Sequence, residues 1–164
     1  MSPITIRPVD DNDADWLTQF FVEYWGSDSV VSQGVIHYAR DLRHGFIAMR
    51  NDVRVGLVTY EITGDSCEIV SLNSVHQSIG AGTLLIEAVK NVAKQAQCKK
   101  IWLTTSNDNM NGLRFYQKRG FVLVVIYRNA VTEARKLKPE IPLIGDNGIP
   151  LRDEIELEMN IGEI

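Results

Sequence analysis

The chain has 164 residues, 45% hydrophobic and 23% charged, with a net charge of −4. That length suits a single domain, 1–164, able to bury roughly two-thirds of its unfolded surface. The acidic balance excludes a nucleic-acid partner held by bulk electrostatics, and no run of about 18 apolar residues offers a membrane span.

The opening Met1-Ser2-Pro3-Ile4 lacks a signal-peptide core. Cys67 and Cys98 sit among apolar neighbours and suit a reducing cytosol, so a cytoplasmic protein is expected. His37 and His44 stand apart without metal-ligand spacing, and no metal site is expected.

Ile4 to Arg7 alternates as a first strand, ended by Pro8. Asp10 to Asp15 offers N-caps to a helix carrying Trp16, Leu17, Phe20 and Phe21, which gives way at Trp25–Asp28. A second, shorter helix is expected over Gln33–Leu42. Gly45–Met49 and Val53–Ile62 read as strands joined by an Asn51-Asp52 turn. Thr63-Gly64-Asp65 turns into the next strand, Ser66–Leu72, so that Phe46 to Leu72 forms an antiparallel meander. Then come a polar glycine loop and a helix with Leu84, Leu85, Ala88, Val89, Val92 and Ala93 on one face.

Ile101–Thr105 is a buried-looking strand, parallel to Ser66–Leu72 because a helix joins them. Ser106–Asn109 caps a helix over Met110–Arg119, stopped by Gly120. Phe121–Tyr127 is a strand, Asn129–Leu137 has helical composition, and Glu154–Met159 closes the sheet. Its acids, with Asp153, read as a solvated strand face, although Glu154 could attract a cationic acceptor.

Strand, glycine loop, helix is how a backbone makes an anion site. The first helical turn carries unpaired N–H groups and partial positive charge, and glycines admit close approach. Gly80 and Gly82 fall where a side chain would obstruct a phosphate. A P-loop is excluded because no Lys follows Gly82. A dinucleotide fingerprint lacks its third glycine, Leu85 standing there. Gln77-x-x-Gly80-x-Gly82 resembles the Q/R-x-x-G-x-G/A loop of the GCN5-related N-acetyltransferases, the GNAT family. The segment Asn109-x-x-Gly112-x-x-x-Tyr116-x-x-x-Gly120-Phe121 resembles the family's N-x-x-A-x-x-x-Y-x-x-x-G-F. Gly112 replaces the usual Ala, a change expected to cost only helix propensity.

The resemblance implies the α/β GNAT fold, in the order β-α-α-β-β-β-α-β-α-β-β, with splayed central parallel strands. It implies acetyl-CoA as cosubstrate and an N-acetyltransferase acting by direct attack of a primary amine; a small-molecule acceptor is expected over a protein tail because the Asn129–Pro150 insertion would close over the site. The other reading is a GNAT-fold module that binds coenzyme A without turnover. Gln77, Ser78, Ile79, Gly80, Ala81, Gly82 and Thr83 would hold the pyrophosphate and Asn109 would meet the pantetheine arm. Tyr116 would sit near the coenzyme sulfur as general acid, unless it is a core tyrosine. Glu68 is either the base or a surface carboxylate on a strand. The N–H of Leu72 or Asn73 is the oxyanion donor. Tyr24, Trp25 and His37 fall in a segment that borders the acceptor site in the family, and His76 adjoins the phosphate loop.

Asn129 to Pro150 is long for a link between paired strands. Such loops are usually functional or disordered. Recurrent aliphatics and three prolines favour an ordered flap beside the acceptor pocket, with Arg128 or Arg135 free to meet an acceptor carboxylate. The alternative for this segment is the contact of a homodimer.

Overall fold

The computed structural model describes residues 2–75 and 80–162. Among the described residues nine strands and four α-helices follow one another: β1 Thr5–Pro8, α1 Ala14–Trp25, β2 Ser29–Ser32, β3 Val35–Tyr38, β4 Gly45–Arg50, β5 Val53–Thr63, β6 Ser66–Ser74, α2 Ala81–Gln95, β7 Lys100–Ser106, α3 Met110–Lys118, β8 Val122–Tyr127, α4 Ala130–Ala134 and β9 Glu154–Asn160. Seven strands form one sheet in the order β1-β4-β5-β6-β7-β9-β8, and β2 pairs with β3 apart from it. Among the described residues only β6 and β7 run parallel.

One expected element is absent. The stretch Gln33–Leu42, read as a helix, is instead the turn and second strand of the β2–β3 hairpin, followed by a single 3₁₀ turn at Ala39–Asp41. Gln33 and Gly34 both take positive φ, 48° and 77°, which is the primed turn that matches strand twist. Val35, Ile36 and Tyr38 are β-branched or aromatic and suit a pleated surface better than a helix. The Asn51-Asp52 turn is as expected, both residues in the left-handed region.

Two cores lie on opposite faces of the sheet. On one face, α2 buries Ala81, Leu85, Ile86, Val89 and Ala93 against Cys67, Ile69, Ile101 and Leu103. Leu84, grouped with this apolar stripe by its spacing, stands 40% exposed, and Ile86 takes its place. On the other face, Leu17, Phe20 and Phe21 of α1 pack with Val30, Ile47, Leu57 and Val70. Asp13 anchors the start of α1, accepting hydrogen bonds from Arg7 and Arg54, which hold its carboxyl far below the usual carboxylate range.

The feature that makes a site is the parting of β6 from β7. They pair over only three residues, Ser66, Cys67 and Glu68 facing Lys100, Ile101 and Trp102. Beyond Glu68, β6 follows β5 as far as Ser74 while β7 follows β9 as far as Ser106. The β5–β6 register slips between Thr59 and Tyr60, leaving Val70 as an extra residue. Such a bulge bends its strand, here just where the two central strands separate.

Asn129–Pro150 contains α4, a 3₁₀ turn at Asp146–Gly148 and an isolated bridge between Ile144 and Pro150. Lys138, buried, donates to the carbonyls of Trp25 and Ser29, both at 2.7 Å, and ties the segment to α1 and β2. Arg135 is not free for a ligand: its guanidinium donates to the carbonyls of Ile141, Pro142 and Leu151 and holds the segment's own fold. Arg128 is exposed.

Candidate active site

The splay opens onto a cleft of about 480 Å³ on the α2/α3 face. Leu72, Asn73 and Ser74 line it from β6, and Gly80, Ala81, Gly82 and Thr83 from the start of α2. Asn109, Gly112, Arg114, Phe115, Tyr116, Lys118 and Arg119 line it from α3, with Tyr24 at the border. Gly80 and Gly82 of the first motif thus meet Asn109, Gly112 and Tyr116 of the second in one place. Gln77, Ser78 and Ile79, with His76, lie outside the described residues.

The two loop glycines are needed for different reasons. Gly80 caps α2 with φ of +90°, a conformation that costs any other residue, and nothing crowds the place of a Cβ. Gly82 has ordinary φ, but a Cβ there would lie 2.9 Å from Cζ of Phe115. Its smallness lets α2 close against α3, a packing role beyond the expected room for an anion. Gly112 is also more than a loss of helix propensity, because a Cβ there would collide with the side-chain amide of Asn109. That amide is the cap of α3: Oδ1 accepts from the N–H of Gly112 at 3.0 Å and Nδ2 donates to Thr105 Oγ1 at 2.8 Å.

Cations on α3 complete this side, and the motif reading missed them. Arg119 lies over the Phe115 ring at 3.8 Å and donates to Thr83 Oγ1 and to the carbonyl of Phe115. Arg114 and Lys118 are exposed on the same helix. Their i, i+4 spacing beside Tyr116 was the available signal. Helix N-terminus, close-packed glycines and three cations suit an extended, phosphate-bearing ligand. Tyr116 is buried against Phe115 and Phe121, and burial pushes its phenol up to about 12, so it stays protonated across the working range.

Glu68 does not line this cleft. Cys67 and Ile69 enter the α2 core, so by strand alternation Glu68 projects from the opposite face. There the hairpin covers it. Ser32 Oγ donates to Glu68 Oε2 at 2.9 Å and shares a 2.8 Å hydrogen bond with Thr104 Oγ1. Burial drives the Glu68 carboxyl up to about 7; the Ser32 hydrogen bond opposes this, while Glu61, Glu154 and Glu156 add to it. Glu68 is therefore no ordinary surface carboxylate.

The acids of β9 do not form the expected solvated face. Glu154 is only 5% exposed, accepts from the Gln33 N–H at 3.2 Å and has its carboxyl raised chiefly by burial. Glu156 accepts from Gln33 Nε2 and from the Tyr127 hydroxyl. A second cavity of about 590 Å³ adjoins them, lined by Gln33, Gly34, Tyr127 and Glu154 together with Ala130, Glu133, Ala134, Lys136 and Leu137. His37, buried on the same hairpin, brings Nδ1 within 3.8 Å of Glu61. Trp25 is 38% exposed at the end of α1. Cys67 is fully buried with its thiol pushed up to about 12, which rules it out as a nucleophile. Among the described residues no cluster of His, Cys, Asp and Glu could hold a metal, and no helix is long and apolar enough to cross a membrane.

Comparisons agree with this architecture. The sequence profile of the acetyltransferase (GNAT) family matches residues 14–121. Two uncharacterized proteins of Bacillus subtilis (strain 168) are similar over most of their length. YdhI is 45% identical over 141 residues, 85% of this chain and 87% of that protein. YxbD is 46% identical over 145 residues, 87% and 90%. In fold, the chain is similar to a GNAT family acetyltransferase from Elizabethkingia anophelis solved with acetyl-CoA bound. The TM-score is 0.68 at 24% identity, covering 96% of this chain and 97% of that one. The profile spans the first helix, the glycine loop and the Tyr116 helix alike, and the chain belongs to the acetyltransferase (GNAT) family.

Proposed function

We propose that this protein transfers the acetyl group of acetyl-CoA to the primary amine of a small molecule, the amine attacking the thioester directly. The observation that carries the reading is the pair of opposed sites at the β6–β7 splay. A basic, glycine-rich cleft lies on one face, and a half-buried carboxylate with pKa near 7 lies on the other. The family resemblance and the acetyl-CoA in the Elizabethkingia structure support the choice of cosubstrate.

The cleft residues fit that ligand: Gly80–Thr83 would hold its pyrophosphate at the head of α2, with Arg114, Lys118 and Arg119 as counter-charges. When bound, acetyl-CoA supplies an acyl thioester with a thiol leaving group. The chain supplies the proton transfers and a backbone donor. An alkyl ammonium has a pKa near that of Lys, about 10.4, and must lose a proton before its nitrogen can attack. Glu68, ionised on the alkaline side of its raised pKa, accepts that proton either directly or through water, where an ordinary carboxylate would be too weak a base. The N–H of Leu72 or Asn73, at the cleft where β6 leaves β7, donates to the carbonyl oxygen as it gains charge. Tyr116 lines the same cleft with its proton retained and gives it to the departing sulfur.

The acceptor would enter from the hairpin and flap side. A cavity of about 590 Å³ falls within the range of small-molecule sites. Glu154 on its wall, with Glu61, Glu68 and Glu156 nearby, favours a cation over an anion. The apolar lining from Ala130, Ala134 and Leu137 suits a hydrocarbon portion beside the amine. Thiol release from acetyl-CoA, screened against small primary amines and against peptides with a free N-terminus or lysine, tests the reading. Amine-dependent release with the small compounds is expected. Binding of acetyl-CoA with no release for any amine would reduce the protein to a coenzyme A-binding module.

A further inference from the structure

The turn after β7 holds two parts of the molecule in place. Asn109 caps α3 at the cleft. Two residues earlier, Asn107 holds the chain where it returns from the flap into β9. The β7–β9 ladder ends at Ser106 and Glu154, and the N–H of Asn107 continues it by donating to the Asp153 carbonyl at 3.0 Å. Beyond that point the Asn107 side chain takes the place of a strand partner. Its Oδ1 accepts from the N–H groups of Arg152 and Asp153, both at 3.0 Å, and its Nδ2 donates to the Pro150 carbonyl at 2.9 Å. A side-chain amide can do this because it offers donors and an acceptor with two lone pairs.

What hangs from Arg152 and Asp153 is α4. The Asp153 carboxylate accepts from the N–H of Asn129 at 2.8 Å, and the Arg152 carbonyl accepts from the N–H of Val131 at 2.9 Å. A five-residue helix has little stability of its own, so its place is set by what its ends are tied to. Ala130, Glu133, Ala134 and Leu137 from this stretch line the second cavity, and Glu154, the neighbour of Asp153, lines it from β9. The buried Asp108 fixes the far end of the flap, Oδ2 accepting from the N–H of Asp146 at 2.8 Å.

We propose that Asn107 is a positioning residue for the acetyl acceptor. By holding Arg152 and Asp153 it sets where α4 and Glu154 stand around the second cavity, and thereby sets acceptor affinity. Asn107 lines neither cavity, so it acts through the segment it holds rather than by touching a ligand. The cleft keeps its own fixture in Asn109, which separates the two sides within one turn of chain. The inference rests on the reading of the second cavity as the acceptor's.

Steady-state kinetics and hydrogen exchange on the full chain test it. With butylamine and benzylamine as probe amines, Asn107→Ala should raise the acceptor KM about tenfold, with kcat and the acetyl-CoA Kd within about twofold of wild type. Amide exchange in α4 should be about tenfold faster in that variant, and exchange in α2 unchanged. Asn107→Asp keeps an oxygen for the two N–H groups and loses the donation to Pro150, so its acceptor KM should return to within about threefold of wild type. A merely structural Asn107 would lower the melting temperature of Asn107→Ala and leave the acceptor KM in place, which overturns the proposal. An acetyl-CoA Kd that rises as much as the acceptor KM overturns it too, since Asn107 would then support both sides alike. Thiol release with no small primary amine in wild type would instead overturn the acceptor reading itself, and this inference with it.

Discussion

The two faces of the sheet at the splay are opposite in charge and in construction. The α2/α3 face is basic, and its parts lie close together in sequence, from β6 through α2 and β7 to α3. The hairpin face is acidic and is assembled from remote pieces: Ser32 meets Glu68 and Thr104 at separations of 36 and 72 residues, and Gln33 meets Glu154 and Glu156 at 121 and 123. A single strand-loop-helix unit can make a phosphate site unaided. The second face forms only once the whole sheet is closed. The first is therefore local in sequence, and the second depends on closure of the whole sheet.

The largest expected effect breaks the basic face alone. Gly82→Val would drive a branched side chain into Phe115, costing about 1–3 kcal/mol of overpacking if the protein folds around it. Acetyl-CoA binding by calorimetry should be lost, while Gly80→Ala, uncrowded but strained in φ, should weaken it less. Equal affinity in wild type and a folded Gly82→Val would remove this helix start from the site.

Next comes the residue proposed as the acid within the α2/α3 cleft. Tyr116→Phe should lower kcat roughly 10- to 1000-fold, about 1.4–4 kcal/mol of transition-state stabilisation, with acetyl-CoA affinity little changed. Wild-type turnover in the Phe variant would make Tyr116 a core residue only.

On the acidic face, Ser32→Ala removes a hydrogen bond that lowers the Glu68 pKa. The acid limb of the kcat/KM profile should move up by roughly one pH unit, the scale of one charge-assisted hydrogen bond. At high pH, where Glu68 is ionised in both proteins, the rates should converge. An unmoved limb would mean that Ser32 does not act through Glu68.

The smallest effect is that of the exposed cations. Arg114→Ala with Lys118→Ala should weaken acetyl-CoA binding by about 1 kcal/mol at low salt and by less at high salt. Loss of affinity that ignores ionic strength would argue against a simple counter-charge role.

The same asymmetry explains what could be read from the chain. The glycine loop, Asn109 and Tyr116 were legible because each motif is contiguous and its spacing follows one helix. Ser32, Gln33 and Tyr127 carry no local signature; their partners are chosen by tertiary closure. The hairpin itself was misread as a helix because Gln33–Leu42 is short and its apolar residues fit either period. Glu68 was visible as a residue but not as an unusual acid, since its raised pKa comes from the hairpin lying over it. The role expected of Arg135 failed for a related reason: a surface-looking guanidinium is consumed by three carbonyls of its own loop.

If Glu68 on the hairpin face takes the proton of the amine, the pH dependence of kcat/KM in wild type and Glu68→Gln shows it most directly. Because burial raises the carboxyl to about 7, the wild-type rate should climb through neutral pH as Glu68 ionises. The Gln variant should be slower at neutral pH, lack that inflection, and recover partly as free amine accumulates near the acceptor's own pKa. The same variant should gain thermal stability above pH 7. A carboxyl whose pKa is raised on folding stabilises the fold below its ordinary value near 4.5 and loses that contribution as pH climbs through the folded value. Superimposable profiles for the two proteins would contradict the account, because water or another group would then take the proton.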